Sequence, residues 1–248
     1  MGRLASLYLF AYNAAQACGW TIALIKLILT VSSTNSFDGA YAACGELICL
    51  LQFSAVMEVF HSAIGIVPSR VLPVLMQWGG RFHFVAAIIS QIPEFQLGPY
   101  YCGFGAVLLV ITDTGLVQKL PAVFITFMSW SLSEVIRYPQ YALNTIELCP
   151  GWLTWLRYSA FIVLYPIGAL IGEMPAMYKA LPYIKKKNIY GDAFNKLPFS
   201  YYSFIVAVLV CYPFLWLKLY MYMFKQRKSK LGKRGESKKA LRPKIRVE

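Results

Sequence analysis

Charge is scarce in this sequence, and it is missing over long stretches. Only 14% of the 248 residues are Asp, Glu, Lys or Arg, against about 25% in an ordinary soluble domain. Residues 4–25, 158–172 and 197–217 contain no charged residue at all. Runs of that kind leave no water-facing surface, which argues against a soluble globular domain. Histidine is nearly absent. The six cysteines (Cys18, Cys44, Cys49, Cys102, Cys149 and Cys211) are scattered, with no CxxC and no Cys/His cluster, which argues against a metal site. Acidic residues are few, 11 against 24 Lys and Arg. The resulting surplus does not point to nucleic acid, because most of it lies in one terminal tail.

What is present is apolar: 58% of residues are hydrophobic and the mean hydropathy is +0.54. A bilayer core about 30 Å thick needs about 20 apolar residues per crossing helix. Inside it every backbone amide must be bonded within the protein, so these runs are helices or closed barrel strands. Barrel strands show short alternating segments, which these are not. The expectation is an all-α, polytopic transmembrane helix bundle. Six spans are read at about 8–31, 42–66, 71–92, 121–143, 153–177 and 200–224. The segment 97–117 has a shorter apolar core, from Tyr100 to Thr112, typical of a re-entrant piece; a full crossing there would make seven spans. The stretch from Lys179 to Pro198, with Pro, Asn, Gly and five lysines, reads as a loop.

Residues 1–224 thus form one membrane domain and 225–248 a basic tail with eleven Lys or Arg. The excess of positive charge places that tail in the cytosol and lets it contact anionic lipid. Six spans then place the N-terminus in the cytosol as well. The N-terminal residues lack the ordered features of a cleavable signal, so the first run is expected to remain as a membrane anchor.

Ionisable groups inside spans are costly and are functional candidates. Glu58 and His61 lie three apart in MEVFH, on one helix face and within hydrogen-bonding reach. Glu134 and Arg137 repeat that spacing with opposite charges, beside Tyr138 in WSLSEVIRYPQY. They read either as a self-neutralising pair that locks packing or as groups facing a substrate. Lys26 and Lys218 read as snorkelling towards an interface. In LRYSAFIVLYPIGALIGEM, Pro166 follows Tyr165 and frees a backbone carbonyl, while Gly168 and Gly172 allow close helix approach. Tyr165 and Glu173 read either as parts of a packing seam or as an acid/base pair between helices.

These residues carry a resemblance. YLFAYNAAQACGW (8–20), MEVFHSAIGIVPS (57–69), FITFMSWSLSEVIRYPQYAL (124–143), LRYSAFIVLYPIG (156–168) and MYKALPYIKKKNIY (177–190) occur in one order along most of the chain. In this combination the chain resembles the very-long-chain 3-hydroxyacyl-CoA dehydratases, once called protein-tyrosine-phosphatase-like, and its wording is similar to plant members. The resemblance implies loss of water from a (3R)-3-hydroxyacyl-CoA to give a trans-2-enoyl-CoA, with Tyr165 and Glu173 as the catalytic pair. Glu58, His61, Glu134, Arg137 and Tyr138 would support the pocket. It implies an acyl-CoA substrate, no cofactor, the membrane of the endoplasmic reticulum, and other elongation enzymes (ketoacyl synthase, reductases) as partners. The alternative is a catalytically weak or inactive scaffold that binds elongation or signalling partners. Phosphatase chemistry is excluded. In an HCx5R register Ser62 stands where the nucleophilic cysteine belongs and Pro68 where the arginine belongs.

The chain departs from the implied pattern in two places. The resemblance implies seven residues from tyrosine to glutamate, and here there are eight. On an α-helix eight steps set the groups roughly 80° apart and seven roughly 20°, unless a π-bulge near Pro166 or the glycines absorbs one residue. The second is the segment 97–117, which stands where the relatives have a short loop.

Overall fold

The computed structural model describes residues 2–92 and 117–240, the last eight of these as backbone only. Segment 97–117 therefore lies outside the described residues except for Val117. All regular structure among the described residues is helical. The elements in order are α1 (Arg3–Thr34), α2 (Ala40–Ser54), α3 (Val56–Ala63) and α4 (Val71–Phe82), which continues into a π-helical segment His83–Ile89. After a 3₁₀ turn at Val117–Lys119 come α5 (Pro121–Thr145), α6 (Gly151–Arg157) and α7 (Phe161–Pro166). A second π segment, Ile167–Glu173, leads into α8 (Met174–Lys187), followed by the short α9 (Gly191–Phe194) and the long α10 (Tyr201–Ala240).

The inside and outside of the bundle are patterned for lipid. On α1 the buried residues are Leu9, Asn13, Gln16, Trp20, Ala23 and Leu27, alternating three and four apart so that one stripe faces the core. Ile22, Ile25, Ile28 and Leu29 point outward and are exposed. Polar Asn13 and Gln16 are inside while Ile22, Ile25, Ile28 and Leu29 are outside, the arrangement that a hydrocarbon solvent selects. Asn35 ends the helix in the left-handed conformation, its N–H bonded to the Val31 carbonyl.

Five helical stretches are long and apolar enough to cross a membrane: Arg3–Thr34, Ala40–Ala63, Val71–Ile89, Gly151–Lys187 and Tyr201–Gly232. The sixth expected span, 121–143, is present as α5. At 25 residues it is about 37 Å long, sufficient in length but too polar in composition to join the five. The reason is its position. It packs against α1 and the second π segment, and Thr126, Ser129, Ser131, Glu134 and Gln140 are all buried in the bundle. Neighbouring helices, not lipid, surround its polar residues.

The expected loop from Lys179 to Pro198 differs. Helix α8 runs to Lys187 through Pro182, and Asn188 closes it in the left-handed conformation with its N–H on Ile184 and Lys185 carbonyls. Lys185, Lys186 and Lys187 fall in the last turn, where cations favour the negative end of the helix dipole. At the other end of the chain α10 passes residue 224 without a break.

Contacts fix the alternation of direction. Tyr8 meets His61 and Tyr12 meets Tyr138, so the start of α1 shares one end of the bundle with the ends of α3 and α5. At the opposite end Gln118 Nε2 donates to the Ile89 carbonyl at 3.0 Å. Helices α6 to α8 and α10 run antiparallel: Ser159 meets Arg227, Tyr165 meets Trp216, Glu173 meets Tyr212 and Lys185 meets Tyr202.

Candidate active site

Two polar layers lie inside the bundle. The first is built on Arg137. Its Nη1 and Nη2 donate to the two Glu58 oxygens at 3.0 and 3.1 Å, and its Nε donates to Glu134 Oε2 at 2.5 Å. Arg81 donates to the other Glu134 oxygen, and the Tyr138 hydroxyl donates to Glu58. The Glu134 side chain is 1% exposed. Two carboxylates and two guanidinium groups therefore cancel in a place where an unpaired charge is prohibitive. The Glu134–Arg137 pair follows the expected three-residue spacing. Glu58 and His61 do not bond to each other. Glu58 is taken by Arg137 and Tyr138, while His61 Nε2 lies 2.9 Å from the Tyr8 hydroxyl and its ring sits edge-on to Tyr8 and Tyr12. His61 belongs to the α1–α3 contact rather than to the charge cluster.

The second layer holds Tyr165 and Glu173. Trp130 Nε1 donates to Glu173 Oε1 at 2.8 Å, and the Tyr212 hydroxyl donates to Oε2. Indole N–H can only donate, whereas a phenol donates to a carboxylate and accepts from a carboxylic acid. This cradle therefore holds Glu173 in either protonation state without moving it. Tyr165 stacks on Trp216 and Tyr220, with ring centroids 5.8 and 6.0 Å away. Among the described residues no group hydrogen-bonds its hydroxyl, so the proton there is free for a ligand. Glu173 and Arg81 lie within electrostatic reach of Tyr165.

The backbone explains how the pair is aligned. Pro166 has no N–H, so the Ile162 carbonyl one turn earlier is left without its helical donor. The Tyr220 hydroxyl fills that place at 3.0 Å. Directly after the proline the chain adopts the π segment Ile167–Glu173, with the Met174 N–H reaching back to the Ala169 carbonyl. A π turn absorbs one residue, so eight steps sweep the angle of about seven and Glu173 returns from roughly 80° to roughly 20° of Tyr165. Of the two outcomes left open by the spacing, a π turn or a misaligned pair, the π turn is present. The glycines seat this turn on α5. A Cβ on Gly172 would lie 2.4 Å from Thr126 Oγ1 and 3.1 Å from its backbone nitrogen, and one on Gly168 would lie 3.0 Å from Ser129 Cβ.

The two layers are joined. The Arg81 guanidinium carbon lies 5.1 Å from the centre of the Trp130 ring, whose N–H holds Glu173, a cation–π contact. The sequence reading missed Arg81, Trp130 and Tyr212. Arg81 was available to it as a charge inside the span 71–92. Trp130 and Tyr212 carry no such signal, because their role depends on helices meeting across the bundle. Among the described residues no three of His, Cys, Asp and Glu gather as a metal would require.

The profile of the family described as "Protein tyrosine phosphatase-like protein, PTPLA" matches residues 52–233. The human protein named very-long-chain (3R)-3-hydroxyacyl-CoA dehydratase 2 is 30% identical over 95% of this chain and 85% of its own length. Among plant proteins, very-long-chain (3R)-3-hydroxyacyl-CoA dehydratase PASTICCINO 2 of Arabidopsis thaliana is 32% identical over 91% of this chain and 93% of its own. PASTICCINO 2B of Oryza sativa subsp. japonica is 34% identical over 92% and 94%. No solved structure matches. With a profile match across most of its length and relatives aligned nearly end to end, the chain belongs to the protein tyrosine phosphatase-like, or PTPLA, family.

Proposed function

We propose that this protein removes water from very-long-chain (3R)-3-hydroxyacyl-CoA to give trans-2-enoyl-CoA, a step of fatty-acid elongation. The observation that carries the reading is the π turn. By absorbing one residue it supports a shared helix face for Tyr165, whose hydroxyl has no hydrogen-bond partner among the described residues, and Glu173, held by Trp130 and Tyr212. The reaction breaks the C2–H bond and the C3–O bond and forms C2=C3. One group takes the C2 proton and the other protonates the departing hydroxyl, which leaves as water. Tyr165 and Glu173 divide these roles, and the cradle of Glu173 supports either direction of transfer.

Glu58, Glu134, Arg137 and Tyr138 act as a frame that fixes α3, α4 and α5 around the pair, with Arg81 as the link to Trp130. We place the protein in the membrane of the endoplasmic reticulum with α10 extending into the cytosol, supported by the eleven Lys and Arg beyond residue 224. Other elongation enzymes are its expected neighbours there. The test is conversion of a long-chain 3-hydroxyacyl-CoA by membranes that lack their own dehydratase. Wild type should yield the trans-2-enoyl product and Tyr165→Phe should not. Turnover retained in an expressed Tyr165→Phe protein ends the assignment. Absence of product from wild type turns the reading towards a non-catalytic scaffold.

A further inference from the structure

The antiparallel pair of α6–α8 against α10 carries the reactive groups part-way along its length and unpaired cations at one end. Arg157 Nη2 donates to the Tyr141 hydroxyl at 3.3 Å, and its guanidinium carbon lies 5.7 Å from the Tyr141 ring centre and 5.8 Å from that of Tyr158. Its Nε is buried without a hydrogen-bond partner among the described residues. Arg227 Nε reaches Ser159 Oγ at 3.4 Å, and Lys225 and Lys228 are exposed beside it. Arg81 and Arg137 each hold a carboxylate, but among the described residues neither Arg157 nor Arg227 is ion-paired. These two guanidinium groups have donors to spare at the mouth of the helix pair.

The spacing connects that end to the chemistry. Arg157 precedes Tyr165 by eight residues, a rise of about 12 Å, and Arg227 follows Tyr220 by seven, about 10 Å. The lysines at the other end are farther away: Lys185 lies twenty residues beyond Tyr165, about 30 Å. A guanidinium fork suits phosphate oxygens better than any other side chain. We propose that Arg157 and Arg227 bind the phosphates of the CoA nucleotide at this end of the bundle, so that the pantetheine arm runs inward along α7 to present the acyl C2 and C3 to Tyr165. The inference rests on the dehydratase reading. The phosphate of an anionic lipid has the same chemistry and is the competing source.

The experiment uses the full chain in phosphatidylcholine vesicles with two substrates, a 3-hydroxyacyl-CoA and the same acyl group on pantetheine, which has no phosphate. For both Arg157→Gln and Arg227→Gln the KM for the CoA thioester should rise about tenfold more than that for the pantetheine thioester, the loss of one charged contact. Equal changes in both substrates overturn the proposal. Among the described residues the Arg227 side chain hydrogen-bonds Ser159 alone, so Arg227→Gln keeps the question answerable if Arg157→Gln misfolds. A difference that appears only after anionic lipid is added assigns the arginines to lipid and overturns it too. Equilibrium binding of CoA itself reads the site without turnover. If wild type binds CoA about tenfold more tightly than Arg227→Gln yet dehydrates neither thioester, the dehydratase reading fails and the phosphate site stands.

Discussion

Changing the length of the π segment by one residue tests the alignment directly. Ile171 is 52% exposed on the outer side of Ile167–Glu173, so its deletion removes little packing. Without it, Tyr165 and Glu173 are seven residues apart, and a plain α-helix places them roughly 20° apart, as the π turn does now. Inserting an alanine after Leu170 instead makes nine steps, and even with the π turn kept the pair opens to roughly 80°. The two positions lie on opposite sides of Tyr165, so this is a rotation of about 100°, which moves Glu173 by about 3.5 Å at the Cα radius and farther at the carboxylate. A misplacement of about 1 Å costs roughly a hundredfold in rate. The deletion should therefore stay within about tenfold of wild type, and the insertion should fall at least about a hundredfold. The assay is initial-rate formation of trans-2-enoyl-CoA in vesicles, normalised to folded protein by size-exclusion recovery. An inactive, folded deletion variant beside an active insertion variant would refute the reasoning.

Other outcomes follow from the same contacts. Tyr212→Phe leaves Glu173 with Trp130 as its one hydrogen-bond donor among the described residues and should lower kcat by about 10- to 100-fold with unchanged melting, read by pairing turnover with thermal unfolding in detergent; unchanged kcat would remove Tyr212 from the site. Arg137→Leu removes the counter-charge of Glu58 and one of the two guanidinium partners of Glu134, and the loss of one partner of a buried pair should cost about 3–5 kcal/mol, seen as a fall in melting temperature or in yield of folded protein. Gly172→Ala drives a methyl group into Thr126 and should cost about 1–3 kcal/mol; a variant as stable as wild type would show that the turn is not seated on α5. Tyr8→Phe breaks the bond to His61 and should cost about 1 kcal/mol without altering turnover, because neither residue hydrogen-bonds or stacks on Tyr165 or Glu173.

The sequence revealed the features whose cause is local. Charge-free runs locate the helices, because only lipid tolerates them. The Tyr165–Glu173 spacing showed that eight residues do not fit the face that seven would, and left open whether a π turn or a misaligned pair resolves it. Glu134 and Arg137 found each other because they share a helix face. The features it did not reveal are those that arise between helices. Glu58 shares a face with His61, but Arg137 on α5 offers it two charge-assisted bonds that a histidine cannot match. Arg81 stood in plain view as a charge in a span, but its two partners, Glu134 and Trp130, lie on another helix. Helix α5 was read as a span from its length, and only the fold shows it to be wrapped by neighbours. The expected loop at 179–198 starts nine residues late, at Asn188, because a lysine run marks a helix end as readily as a loop.

The cancelled charges have a consequence for biogenesis. Glu58 enters the membrane on α3 and Arg81 on α4, each without a partner on its own helix, while α5 alone carries both signs in Glu134 and Arg137. A single charge at the centre of an inserting helix costs about 2.5–3.5 kcal/mol during translocation. Helices α3 and α4 therefore gain by entering the bilayer as a hairpin and waiting there, and the arrival of α5 completes the circuit. The order in which the ribosome delivers these helices is also the order in which their charges become tolerable, so a truncation before Glu134 should leave a chain marked for degradation rather than a smaller stable bundle.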